Sequence, residues 1–149
     1  MRAQDALQVD RLVRASGVFN NEEIAMARGL VEESLGAAEG GDYHFLLADG
    51  TAGLEGYTCY GPIPGNDRRY ELYWIVTVTS AQRRGLARVL LSATESRVRA
   101  QGGMFLFAET STRADYAPAH ALYGAPGYAR YCTVPDYHGD GLAFFGKRL

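Results

Sequence analysis

Apolar residues recur at helical spacing in the first part of the chain and at strand spacing after it. Val9, Leu12 and Val13 mark one face of a first helix that Asp5 can cap and Gly17 can end. Asn20 or Asn21 caps a second helix; Glu22 and Glu23 sit in its first turn, where carboxylates complement the dipole, and Ile24, Ala27, Val31 and Leu35 repeat along one face. The run Ala37-Ala38-Glu39-Gly40-Gly41 breaks this pattern. Residues 43–48 and 54–60 predict two strands around the hairpin signal Asp49-Gly50, and the Gly- and Pro-rich segment 61–67 predicts a loop. Residues 71–78 predict a strand, and the helix after it is expected to bury Leu86, Val89, Leu90 and Ala93 and to end near Gln101-Gly102-Gly103. Met104 to Glu109 is continuously apolar up to its last residue, as at the centre of a sheet covered on both faces. Pro118 suits the first turn of a fourth helix, and two closing strands, 129–134 and 142–147, bracket a loop from Pro135 to Gly141. With no internal repeat, linker or low-complexity tract, one domain over residues 1–149 is expected.

Composition narrows the classes. A chain of 149 residues can bury a self-sufficient core, and 47% apolar with 21% charged residues excludes a disordered chain. A net charge of −2 argues against a nucleic-acid surface, which needs a basic excess. Cys59 and Cys132 form no Cys-x-x-Cys pair and stand neither at a helix start nor beside a His, so each reads as a small strand residue; no metal site is expected. No apolar run approaches the roughly 20 residues of a membrane span, and Met1-Arg2-Ala3-Gln4-Asp5 lacks the stretch of a signal peptide. A cytoplasmic location without a membrane partner is the expectation.

The segment from Glu71 to Leu91 runs from an apolar strand through a short basic turn into a helix, and such a turn is a natural anion site. Backbone N–H groups at a helix start lack intrahelical partners and the dipole adds positive charge there. Gly85 permits close backbone approach, and Arg83 and Arg84 add charge. The turn alone is equally an ordinary helix start with solvated arginines. No Gly-x-x-x-x-Gly-Lys-Ser/Thr occurs and no Gly-x-Gly-x-x-Gly follows a strand, so neither a nucleoside-triphosphate P-loop nor a dinucleotide fingerprint is present.

Gln82, Gly85 and Ala87 fit Gln/Arg-x-x-Gly-x-Gly/Ala, which resembles the pyrophosphate loop of the GNAT superfamily of acetyl-CoA-dependent N-acetyltransferases. Ala119-His120-Ala121-Leu122-Tyr123, followed by Gly127-Tyr128, resembles the second signature of that superfamily, in the same order along the chain. The resemblance extends from about Tyr43 to the C-terminus. It implies a mixed α/β fold: a central, mostly antiparallel sheet with a splayed central strand pair, flanked by about four helices. The strand that usually precedes the helical pair has almost no sequence here. The resemblance also implies acetyl-CoA as cofactor, with its arm along Ile75, Val76 and Thr77 and its pyrophosphate on Gln82, Arg83, Arg84, Gly85, Leu86, Ala87 and Arg88. Tyr123 stands at the family's tyrosine position and would protonate the departing thiolate. Two departures are Leu122, in place of the usual Phe, and Tyr116, where many members have an Asn whose contact Ser111 could replace.

Transfer of an acetyl group to an amine needs a neutral amine, a donor for the oxyanion and an acid for the thiolate. Glu71, at the start of the cofactor strand, matches the glutamate base of the histone-acetylating branch; equally, it could be a strand-end glutamate paired with Arg68 or Arg69. Glu109 and His120 are weaker candidates for the base. Ten tyrosines are many for one small domain, and Tyr57, Tyr60, Tyr73, Trp74 and Tyr137 lie in segments that border the acceptor cleft in relatives, although packing accounts for at least half of the tyrosines. The expected acceptor is a primary amine of a small molecule, attacked directly in a ternary complex. A protein N-terminus or lysine, or a non-catalytic acyl-CoA-binding module, are the alternatives, and a homodimer is left open.

Overall fold

The computed structural model describes residues 2–37, 41–51, 53–81, 84–124, 127–137 and 140–149. Helix α1 (Ala3–Ser16) begins just before Asp5, whose carboxylate reaches back to accept the Arg2 N–H at 2.6 Å. Asp5 therefore serves from inside the first turn rather than as the cap itself. Gly17, at φ 71°, ends the helix as expected. Helix α2 (Asn21–Gly36) is capped by Asn20: its side chain accepts the Glu23 N–H at 2.9 Å while the Glu23 carboxylate accepts the Asn20 N–H at 2.7 Å. Val9, Leu12 and Val13 on α1 and Ile24, Ala27 and Val31 on α2 are buried, whereas Leu35 in the last turn is 38% exposed.

Strands β1 (His44–Gly50) and β2 (Gly53–Ile63) pair antiparallel from His44↔Tyr60 to Gly50↔Gly53, with an irregularity at Ala48/Asp49. The expected loop at 61–67 is largely strand. β2 continues to Ile63 and β3 (Asn66–Thr77) begins directly after Pro64-Gly65. Proline pre-sets one turn position and Gly65, at φ 78°, supplies the other, so these two residues reverse the chain and leave their neighbours extended. Helix α3 (Leu86–Ala100) buries Leu90, Leu91, Thr94, Glu95 and Val98. Val89, expected in the core, is 64% exposed because the buried stripe runs one position later. Strand β4 (Phe105–Ser111) leads through a 3-10 turn, Ala114–Tyr116, to helix α4 (Ala117–Tyr123), with Pro118 in its first turn. Strands β5 (Ala129–Val134) and β6 (Leu142–Arg148) close the chain.

The sheet has the order β1-β2-β3-β4-β6-β5. The β1–β2, β4–β6 and β5–β6 pairs are antiparallel, and β3–β4 is parallel. The parallel ladder runs from Arg69↔Phe105 to Leu72↔Ala108 and stops there, although β3 continues to Thr77 and β4 to Ser111. The paired stretch of these two central strands is therefore shorter than either strand.

The chain forms two compact units: residues 1–61 with 74–94, and residues 62–73 with 95–149. In the first, Tyr57, Cys59 and the α1 and α2 valines are fully buried. Thr94 Oγ1 donates to the Leu90 carbonyl at 3.0 Å, so its single proton is used and Thr58 donates the 3.0 Å bond between the two hydroxyls. In the second unit the core comprises Tyr70, Leu72, Val98, Leu106, Ala108, Ala143 and Phe145. Burial pushes the Cys59 thiol up to about 12, making it inert, and Cys132 is exposed on β5. Among the described residues, no group of His, Cys, Asp and Glu could hold a metal ion, and no helix is long and apolar enough to cross a membrane.

Candidate active site

In the first unit, the end of β3 and the start of α3 form one continuous main-chain feature. Val78 N–H donates to the Glu55 carbonyl on β2 at 2.8 Å. Backbone polar groups alternate from one strand edge to the other, so Val76 faces β2 with Val78, whereas Ile75 and Thr77 direct their N–H and C=O groups away from β2. Val76 also keeps its side chain in the core, at 5% exposure. Gly56 makes close packing possible here, since a Cβ on it would lie 2.9 Å from Leu90 Cδ1 and 3.0 Å from the Val76 oxygen.

The chain then winds through a 3-10 turn, Thr79–Ala81, with Ala81 N–H donating to Val78 O at 3.0 Å and Arg84 N–H to Ala81 O at 3.3 Å. Gly85 has φ +84°, a conformation that side-chain-bearing residues rarely adopt, and a Cβ built on it meets no atom within 4 Å. Its carbonyl accepts from Val89 N–H at 3.1 Å, so the N–H groups of Leu86, Ala87 and Arg88 are those of the first helical turn, beyond reach of any intrahelical carbonyl. Arg84 and Arg88 are exposed; Arg84 Nη1 is 4.0 Å from Glu55 Oε1, too loose and too solvated to hold it. Gln82 and Arg83 lie outside the described residues.

In the second unit, Glu71 is opposite Phe107 and Glu109 is opposite Phe144. Cross-strand partners share a face and residues two apart along a strand share a face, so Glu71, Phe107, Glu109 and Phe144 all lie on one side of the sheet. Tyr131 joins them, its ring 6.1 Å from that of Phe107. Glu71 is half-buried and Glu109 exposed. Burial first, and the negative charge of Glu109 second, hold the Glu71 carboxyl above its ordinary range. Among the described residues neither carboxylate has a cation within ion-pair distance, so the pairing of Glu71 with Arg68 or Arg69 is not formed.

The opposite face of the same strands carries Tyr123. It ends α4, is 3% exposed, and packs between Phe145, with ring centroids 5.3 Å apart, and Tyr128, at 5.6 Å. Burial pushes its phenol well above the ordinary value, so it stays protonated at any working pH. His120 Nε2 is 2.8 Å from the Ser111 carbonyl, which can only accept, so the proton sits on Nε2; its ring meets Phe145 edge-on at 5.6 Å. That is a packing role. Ser111 Oγ accepts from Arg113 N–H at 3.1 Å, and the Arg113 guanidinium lies 5.0 Å over Tyr116 while pairing with Asp115 and Asp140. Of the aromatic residues expected near an acceptor, Tyr57 and Tyr60 are core; Trp74 packs against Phe19 at 5.1 Å, and Tyr137 is exposed.

The model of the family described as Acetyltransferase (GNAT) family matches residues 11–128. A crystal structure of a Desulfovibrio desulfuricans protein assigned to the GNAT family of acetyltransferases is similar at 38% identity and TM-score 0.91, over 99% of this chain and 94% of that one. The ribosomal-protein-alanine N-acetyltransferase of Brucella melitensis matches at 20% identity and TM-score 0.79, over 100% of this chain and 97% of that one. The aminoglycoside 6'-N-acetyltransferase of Enterococcus faecium matches at 17% identity and TM-score 0.76, over 99% and 92% respectively. These two likenesses speak to the fold alone. A comparison with curated proteins gives no match. A parallel strand pair whose ladder stops short of both strands' ends, a glycine turn opening a helix whose first N–H groups have no partner within the helix, and a family match over most of the chain agree: this chain belongs to the GNAT acetyltransferase family and is an acyltransferase.

Proposed function

We propose that the chain moves an acetyl group from acetyl-CoA to a primary amine of a small molecule, by direct attack in a ternary complex. The observation that supports an amine acceptor is the pair Glu71 and Glu109: two neighbouring carboxylates, without a cation partner among the described residues, beside the rings of Phe107, Phe144 and Tyr131. A site of uncompensated negative charge with aromatic neighbours favours a ligand that is cationic in water, as an amine is.

The residues present also fit acetyl-CoA. Gly85 leaves open space where a side chain would stand, the N–H groups of Leu86, Ala87 and Arg88 and the exposed Arg84 and Arg88 suit a pyrophosphate, and the main-chain groups of Ile75 and Thr77 suit the amides of an extended arm. Bound acetyl-CoA supplies the thioester carbonyl and a thiolate leaving group. Glu71, in its ionised form, would take the proton of the incoming ammonium, directly or through water, and Tyr123, from the opposite face of the sheet, would offer its phenolic proton to the leaving thiolate. Proximity supplies much of the remaining acceleration.

Gly85→Glu places a side chain and a negative charge at the turn, so calorimetric affinity for acetyl-CoA should fall tenfold or more, about 1.4 kcal/mol per decade. Unchanged affinity in a folded variant removes the cofactor assignment. The acceptor class is tested by thiol release from acetyl-CoA with aliphatic diamines and aminoglycosides against N-terminal and lysine peptides. Turnover is expected with the small amines. Turnover confined to peptides makes the chain a protein acetyltransferase, and affinity for acetyl-CoA without turnover on any amine makes it a binding module.

A further inference from the structure

Glu95 on α3 is a carboxylate at 6% exposure, at a position where the helix turns its apolar stripe inward. Lys147 of β6 meets both its oxygens, at 2.9 and 2.8 Å, and Arg99 approaches Oε2 at 3.6 Å from the next turn of α3. The ammonium of Lys147 lies 5.5 Å over the ring of Tyr128. Gly127, at φ +85°, brings the chain beneath this side chain, and a Cβ there would lie 3.4 Å from Lys147 Cε. Tyr128 in turn packs against Tyr123 at 5.6 Å, with the rings inclined by 55°, while Phe145 supports Tyr123 from another side and carries the Arg130 guanidinium at 5.9 Å. The Tyr128 hydroxyl is buried and makes no well-formed hydrogen bond among the described residues, but it lies near the Glu95 carboxylate: burial first, and the Glu95 charge second, hold this phenol above its ordinary range, so both members of the ion pair bear on this ring.

A buried ion pair is a poor device for stability, because the desolvation of both charges offsets their attraction and an apolar pair of similar volume serves as well. It does fix geometry: one ammonium held by two carboxylate oxygens has little freedom, and a ring beneath it is held by both packing and charge. We propose that the Glu95–Lys147 pair is a positioning device for Tyr123, acting through the ring of Tyr128. It ties helix α3 to strand β6 and so fixes where the hydroxyl of Tyr123 is presented. This inference rests on the reading of Tyr123 as the acid for the thiolate.

The test is the charge-free variant Glu95→Leu/Lys147→Met in the full chain, assayed by thiol release with an accepted amine, in both the wild-type and the Tyr123→Phe background. Removing the pair together leaves no unpaired buried charge, so the variant should fold with an unchanged circular dichroism spectrum. In the wild-type background kcat should fall about tenfold, as expected for slight misplacement of a catalytic group, with KM for acetyl-CoA within twofold. In the Tyr123→Phe background the same substitutions should cost nothing further, because no hydroxyl remains to be positioned. Unchanged kcat in the wild-type background overturns the proposal, as does an equal loss in both backgrounds, which marks a general packing defect. Should Tyr123→Phe alone leave kcat unchanged, the acid reading falls first, and this proposal with it. If the charge-free variant does not fold, Tyr128→Leu, which leaves the ion pair intact, is put through the same two backgrounds with the same expectations.

Discussion

Tyr123→Phe is expected to lower kcat by roughly 10²-fold, the low end for general acid catalysis, with little change in affinity for acetyl-CoA. The substitution keeps the ring between Tyr128 and Phe145 and removes only the hydroxyl, so the packing of α4 on β6 should survive it. Burial holds this phenol protonated well beyond its ordinary value, so as the acid it would act as a donor at every accessible pH and should add no alkaline limb to the rate profile. The same shift would make it a reluctant acid, giving up its proton only as charge develops on sulfur, which would place its effect in kcat rather than in binding. Steady-state kinetics with thermal melting separates the roles. A variant that melts earlier and turns over normally identifies Tyr123 as a core residue.

Glu71→Gln should cost about 10²-fold in kcat/KM near neutral pH and recover part of that loss at alkaline pH, where free amine becomes abundant. The acidic limb of the unmodified enzyme should report a carboxyl above the ordinary range, combined with the ammonium that must lose its proton. The same shift predicts a stability effect of opposite sign. Because burial and Glu109 raise the folded-state value, the folded chain binds more protons than the unfolded chain between the ordinary carboxylate value and the raised one, so stability falls as pH rises through that window. Glu71→Gln should therefore melt higher than the unmodified chain at neutral pH, and the difference should close below the ordinary carboxylate range. Slower turnover with greater stability is the expected signature of a charge held in place for function. A pH–rate profile of unchanged shape and height rejects Glu71 and turns attention to Glu109 or to water alone.

The features legible in the sequence are those whose causes lie within a few residues. The Asn20–Glu23 cap, the end of α1 at Gly17, Pro118 in the first turn of α4 and the glycine of the α3 turn depend on local φ and on side chains reaching one turn of helix, so residue type and spacing suffice. The order of elements follows from the switch of hydrophobic period, and the turn and tyrosine signatures are each continuous in sequence. Local signals are ambiguous where two structures share a composition. Pro64-Gly65 makes a tight reversal within a Gly- and Pro-rich run, and Val89 sits at the edge of an apolar stripe whose centre is set by what packs against it.

Everything that depends on register needed the tertiary structure. Glu71 and Glu109 share a face only because Glu71 is opposite Phe107, and a shift of one residue in that ladder would put them on opposite sides of the sheet. Tyr57 and Tyr60 are core rather than cleft, and His120 is spent on the Ser111 carbonyl, for the same kind of reason. Glu95 and Lys147 are 52 positions apart, and only a carboxylate falling on the inward stripe of α3 hinted that something must meet it. Periodicity says which way a side chain turns; pairing between distant segments decides what it meets.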